Sequence, residues 1–89
     1  MLIENLTFRL APGVDEADFL EADRKVQTEL VPNLAGFVRR TTARDGSGGW
    51  LVVTLWASAG EADAAPPAPD FMALVDPASV SVSRYVTLD

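Results

Sequence analysis

The chain contains neither cysteine nor histidine. Without cysteine there can be no disulfide, no iron–sulfur cluster, no thiolate metal site and no thiol nucleophile. Without histidine, the commonest metal ligand and the commonest general base are missing, so Ser47 and Ser58 have no imidazole to activate them as nucleophiles. The carboxylates do not follow the spacing of a calcium loop. Asp45-Gly46-Ser47-Gly48-Gly49 has no lysine and no helix behind it, so it is not a phosphate cradle. The expectation is a protein with no metal and no cofactor. Positive charge is also scarce: seven Lys and Arg face thirteen Asp and Glu, for a net charge of −6 and a pI near 4.4. That balance argues against a nucleic-acid or anionic-membrane partner. Arg39, Arg40 and Arg44 form a local basic patch, expected on a solvated strand edge. No apolar run approaches the roughly 18 residues of a membrane span. No basic leader with an apolar stretch follows Met1, so the expected location is the cytoplasm.

The 89 residues suit one domain, 1–89. Size scaling has such a chain bury about 63% of its unfolded surface, a thin margin for a single core. Leu2 to Leu10 alternates, with Leu2, Glu4, Leu6, Phe8 and Leu10 on one face, and reads as a strand. Ala11-Pro12-Gly13 turns the chain. Asp15 is the N-cap of a helix running to about Leu30, where Pro32 and Asn33 stop it. A second strand covers about Phe37 to Arg44, and the glycine-rich loop leads into a third, Trp50 to Ala57. Ser58 and Glu61 form a capping box for a second helix, which Pro66, Pro67 and Pro69 break. Asp70 is expected to cap a short helical piece over Phe71–Val75, ended by Asp76-Pro77. A last strand, Ser79 to Leu88, puts Val80, Val82, Arg84, Val86 and Leu88 on one side.

The order β-α-β-β-α-β predicts an α+β, ferredoxin-like fold: a four-stranded antiparallel sheet with both helices on one face. The third strand is apolar on both faces, since Leu51, Val53 and Leu55 alternate with Trp50, Val52 and Trp56. The helices cover only one of those faces. A second copy of the sheet is the simplest cover for the other, so a symmetric homodimer is expected.

Pro12-Gly13 before an acidic helix, Gly36-Phe37-Val38-Arg39-Arg40 opening strand two, and Trp50…Trp56-Ala57-Ser58…Glu61-Ala62 resemble the antibiotic biosynthesis monooxygenase-like domains. These belong to the dimeric α+β barrel superfamily, and the resemblance spans nearly the whole chain. It implies one of three roles: cofactor-free oxidation of aromatic polyketides, haem degradation, or a small protein of unassigned role. The haem-degrading branch uses an axial histidine, absent here, and an asparagine on the first strand. Counting back from Pro12-Gly13 places Leu6, not Asn5, at that position.

On the first helix, at about 100° per residue, Phe19, Leu20, Ala22, Val26 and Leu30 form an apolar stripe. Asp23 and Gln27 fall inside it, one turn apart. A buried carboxylate needs a partner, and Arg84, on the valine side of the last strand, is the expected one, with Gln27 and Glu4 in support. Two readings follow. In the first, implied by the resemblance, the protein is a cofactor-independent monooxygenase acting on an electron-rich aromatic, polyketide- or quinol-like. Asp23 is then the base, Arg84 the anion partner and Gln27 an orienting group, while Phe19, Trp56, Phe71 and Met72 line the ligand pocket. In the second, the chain is a non-catalytic dimeric module that binds a small apolar ligand or a protein, and the same polar groups are structural.

Overall fold

The computed structural model describes residues 1–88. β1 is Leu2–Arg9, and it leads through Ala11-Pro12-Gly13 into α1, Glu16–Lys25. Gly13 carries the turn at φ +81°, a conformation that costs glycine nothing. Asp15 is the N-cap, its carboxylate accepting from Ala17 N–H at 2.9 Å. The expected helix to Leu30 changes character on the way: Val26–Leu30 is a wider π-helical turn, followed by a 3₁₀ turn at Val31–Asn33. Pro32 lacks the N–H that would continue the helix. β2 is Phe37–Arg44 and β3 is Gly49–Trp56. α2, Ala59–Ala64, opens on the expected cap, with Ser58 Oγ accepting from Glu61 N–H at 3.4 Å. α3 is Pro69–Met72, beginning earlier than expected; its N-cap is Ala68, not Asp70. Asp76 instead caps a 3₁₀ turn at Pro77–Ser79, and β4 shortens to Ser81–Val86. Among the described residues no helix is long and apolar enough to cross a membrane.

The sheet is antiparallel throughout in the order β2-β3-β1-β4, so the first strand lies inside the sheet and pairs with the last, which forms one edge. The helices lie on one face. Against them, β1 and β3 send Leu2, Phe8, Trp50, Val52 and Trp56 into the core. Phe19 is fully buried at the centre, its ring 4.7 Å from Trp50, 5.2 Å from Phe71 and 5.7 Å from Phe8. Leu20, expected on the buried stripe, is exposed, because it points about 100° away from Phe19. β4 also departs from its pattern: Val82 and Val86 stay exposed on the side that alternation marks as inner, where no helix covers them.

Candidate functional site

Between the helical layer and the sheet lies a cavity of about 260 Å³. Its floor is the middle of the sheet: Glu4 and Leu6 from β1, Arg40 from β2, and Val52, Thr54 and Trp56 from β3. Val26 and Leu30 roof it from the π-helical turn, and the proline strap 66–68 with Phe71 and Met72 closes the outer side. The strap carries few amide donors, because 66, 67 and 69 are prolines, so side-chain packing more than backbone hydrogen bonding holds it down.

The polar end of the floor is built around Arg40, whose side chain is only 5% exposed. Its Nη2 donates to Asp23 Oδ1 at 2.7 Å and its Nη1 to Gln27 Oε1 at 3.3 Å. Thr42 Oγ donates to the same Asp23 oxygen at 2.8 Å. The guanidinium carbon stands 5.6 Å from the centre of the Phe71 ring, within cation–π reach. The buried cation is therefore neutralised by one carboxylate and held in position by a second acceptor and an aromatic face.

This corrects two expectations. Asp23 is paired with Arg40, not Arg84, and Arg40 is buried rather than solvated with Arg39 and Arg44. The cause is one extra residue in β2. Phe37 lies opposite Trp56 but Arg39 lies opposite Leu55, a shift of register that a β-bulge produces. Simple alternation puts Phe37 and Arg39 on one face; the bulge puts Phe37 and Arg40 on the helix side instead. Asp23 and Gln27 thus act through Arg40, since neither lines the cavity.

Arg84 forms a separate cluster at the β4 edge. It donates to Glu4 Oε2 at 2.9 Å and to Asp63 Oδ1, on α2, at 2.7 Å. Those two carboxylates, Asp63 first, raise the Arg84 pKa further above its ordinary value, so it is a permanent cation. Of the expected pocket walls, Trp56, Phe71 and Met72 line the cavity, Met72 at its rim. Phe19 does not; it is core beneath it. Sequence reasoning missed Thr54 and left Glu4 a supporting part. The register Glu4↔Thr54↔Arg40 makes them neighbours, a relation that strand order alone reveals.

Trp56 lines the cavity, and its indole nitrogen is unpartnered. Trp56 Nε1 is buried and finds no hydrogen-bond acceptor among the described residues, an arrangement that costs stability unless something else accepts from it. The donor set does not fit a haem: the cavity presents a carboxylate, a threonine hydroxyl, a guanidinium and an indole, with no imidazole or thiolate. Leu6 lies on the cavity, while Asn5 faces the opposite side of the sheet.

The fold is that of the antibiotic biosynthesis monooxygenase-like proteins. Among solved structures it is similar to SnoaB, a cofactor-independent oxygenase from Streptomyces nogalater, with a TM-score of 0.78 at 16% identity over 99% of this chain and 93% of that one. An antibiotic biosynthesis monooxygenase is similar at TM-score 0.74 and 14% identity, with both chains covered completely. A variant of MhuD with two manganese protoporphyrin IX bound per active site is similar at TM-score 0.68 and 17% identity, over 99% of this chain and 95% of that one. At such identities the likeness establishes the fold. No family model and no curated protein matches the sequence.

Proposed function

We propose that the protein is a cofactor-independent monooxygenase that oxidises an electron-rich aromatic molecule in the helix–sheet cavity, working as a homodimer. The observation that carries this reading is that two residues lining one cavity hold buried donors: Arg40 a buried guanidinium, and Trp56 a buried indole N–H without a partner among the described residues. Both are suited to an oxygen atom that gains negative charge, and in a low-dielectric setting such donors are worth far more than in water. The similarity to a cofactor-independent oxygenase supports the same reading.

The substrate in this scheme is its own reductant. An anthrone-like molecule loses a proton to bulk solvent, which returns it to the departing oxygen, and the extended anion that forms has its oxygen stabilised by Arg40 and Trp56. The anion then passes electrons to O₂. In the net reaction a methylene carbon loses both C–H bonds and gains a C=O. One oxygen atom enters the product, and the other leaves as water with the two hydrogens. Four electrons pass from substrate to O₂, so no external donor is required. Asp23 and Gln27 position Arg40, and Arg84 holds Glu4.

The test is oxygen uptake with anthrone, with anthraquinone formed in a one-to-one ratio to the oxygen consumed. Trp56→Phe keeps the ring and deletes the donor; it is expected to lower kcat/KM by about 10²-fold, the effect of removing one oxyanion donor. Uptake no faster than the uncatalysed rate, or full activity in both Trp56→Phe and Arg40→Met, sinks the assignment. A second reading, a non-catalytic ligand-binding module, draws on the closure of the Asp23–Arg40–Thr42 cluster on itself. It expects the same molecule to bind without oxygen uptake.

A further inference from the structure

One row of residues crosses the sheet, and three of its members, Arg40, Thr54 and Glu4, line the floor of the cavity. The register aligns Arg40, Thr54, Glu4 and Arg84, one from each strand. The central residues of the rows on either side are apolar: Leu2 with Trp56, and Leu6 with Val52. Within this polar row Glu4 is unlike the other carboxylates near the site. Asp23 is taken up by Arg40 and Thr42 behind the cavity, and Asp63 stands out in solvent. Glu4 lines the cavity itself, with its side chain 27% exposed. Arg84 engages only one of its oxygens, Oε2, at 2.9 Å from both Nε and Nη2. Arg84 is fixed in turn by Asp63. The carboxylate is thus anchored on one oxygen, with Oε1 left clear of that contact.

An apolar ligand lying on this floor strips water from Glu4. A carboxylate that loses water without gaining a donor destabilises the complex, whereas a hydroxyl that donates to it gains a charge-assisted bond. The opposite end of the row presents the Arg40 cation. β2 and β1 are separated by β3, so the two ends lie two strand spacings apart, roughly 9.6 Å. That span accommodates two or three fused rings.

We propose that Glu4 is the specificity-determining acceptor of the cavity, selecting fused-ring aromatic ligands that carry a hydroxyl donor at the end away from Arg40. Arg84 is the positioning residue that holds Glu4 in place. This inference rests on reading the cavity as the ligand site, and its test separates the two. A monohydroxyanthraquinone and its methyl ether are titrated into the full-length protein, followed by quenching of the tryptophan fluorescence. They differ in the donor and in one methyl group, and a preference that comes from the methyl group would survive in the Glu4 variants. The wild type is expected to prefer the hydroxyl compound by about tenfold or more, the range of a hydrogen bond to a charged group. Glu4→Leu is expected to abolish that preference while still binding both compounds. Glu4→Gln guards against a folding failure in the first variant: Arg84 draws the amide oxygen, the NH₂ turns to the cavity, and the preference is again lost. Binding of both probes by the wild type without discrimination, or a preference that survives in a folded Glu4 variant, overturns the role of Glu4 and leaves the cavity standing as a ligand site. Binding of neither probe overturns both.

Discussion

Arg40 is the residue around which the polar side of the cavity is organised, and its energetics are those of a buried ion pair. Its attraction to Asp23 offsets the desolvation of both groups, aided by Gln27 and Thr42. Removing either partner strands the other. Asp23→Leu or Arg40→Met alone is expected to destabilise the fold by about 3 kcal/mol, the lower end of the range for breaking a buried pair because Asp23 retains some exposure. The double variant is expected to cost clearly less than the sum of the two, which urea unfolding of the four-member cycle measures directly. Additive losses would show that the pair is not coupled. The need for such a pair was legible in the sequence, since Asp23 and Gln27 interrupt an apolar stripe. The identity of the cation was not, because a single bulged residue in β2 decides which arginine faces inward.

At the scale of elements, the β2–β3 hairpin depends on one side chain. Asp45 Oδ1 accepts from Ser47 N–H at 2.7 Å and Gly49 N–H at 3.0 Å, closing the loop that Gly46 and Gly48 make possible with φ of +81° and +90°. These backbone donors, Ser47 first, hold the Asp45 carboxyl below its usual range. A carboxyl with a lowered folded pKa binds fewer protons in the folded than in the unfolded state. Its stabilisation is therefore present above the unfolded value and lost as the pH falls through the folded one. Amide exchange of Ser47 and Gly49 is expected to gain an acid-promoted opening on the acid side of the ordinary carboxylate range. In Asp45→Ala both amides are expected to open at neutral pH as well, with that pH step gone. A step that persisted in the variant would assign it to another group. Caps and breakers were mostly legible, as Asp15, Ser58 and the prolines illustrate. The π-helical turn was not: it sets Val26 and Leu30 over the cavity, a tertiary arrangement that local propensity does not carry.

The whole molecule is a slab, 40 × 24 × 19 Å, with one sheet face uncovered. It exposes 5488 Å², against roughly 5,000 Å² for a compact monomer of this mass. On the open face Ile3, Val53 and Leu55 line an apolar groove with Arg39 and Thr41, and Asn5 Oδ1 is buried there without a partner among the described residues. The proposed dimer covers this face. Sedimentation at micromolar concentration is expected to give about 19 kDa, twice the 9.5 kDa chain, and Val53→Asp to return it to the single-chain mass. A wild-type chain that sediments as a monomer would remove the dimer from the proposal. The order of elements, the caps of the first two helices and the two-faced third strand were determined by the sequence itself, because periodicity and capping are local properties. The lack of histidine and cysteine likewise limits the donor chemistry through composition alone. Tertiary structure alone decided which charges meet. Asp23 and Arg84 both point toward the helix layer, yet Arg84 stands on the edge strand beyond reach of α1 and is claimed by Glu4 and Asp63. Pairing depends on strand order and on the bulge in β2, and both are settled only when distant segments pack together.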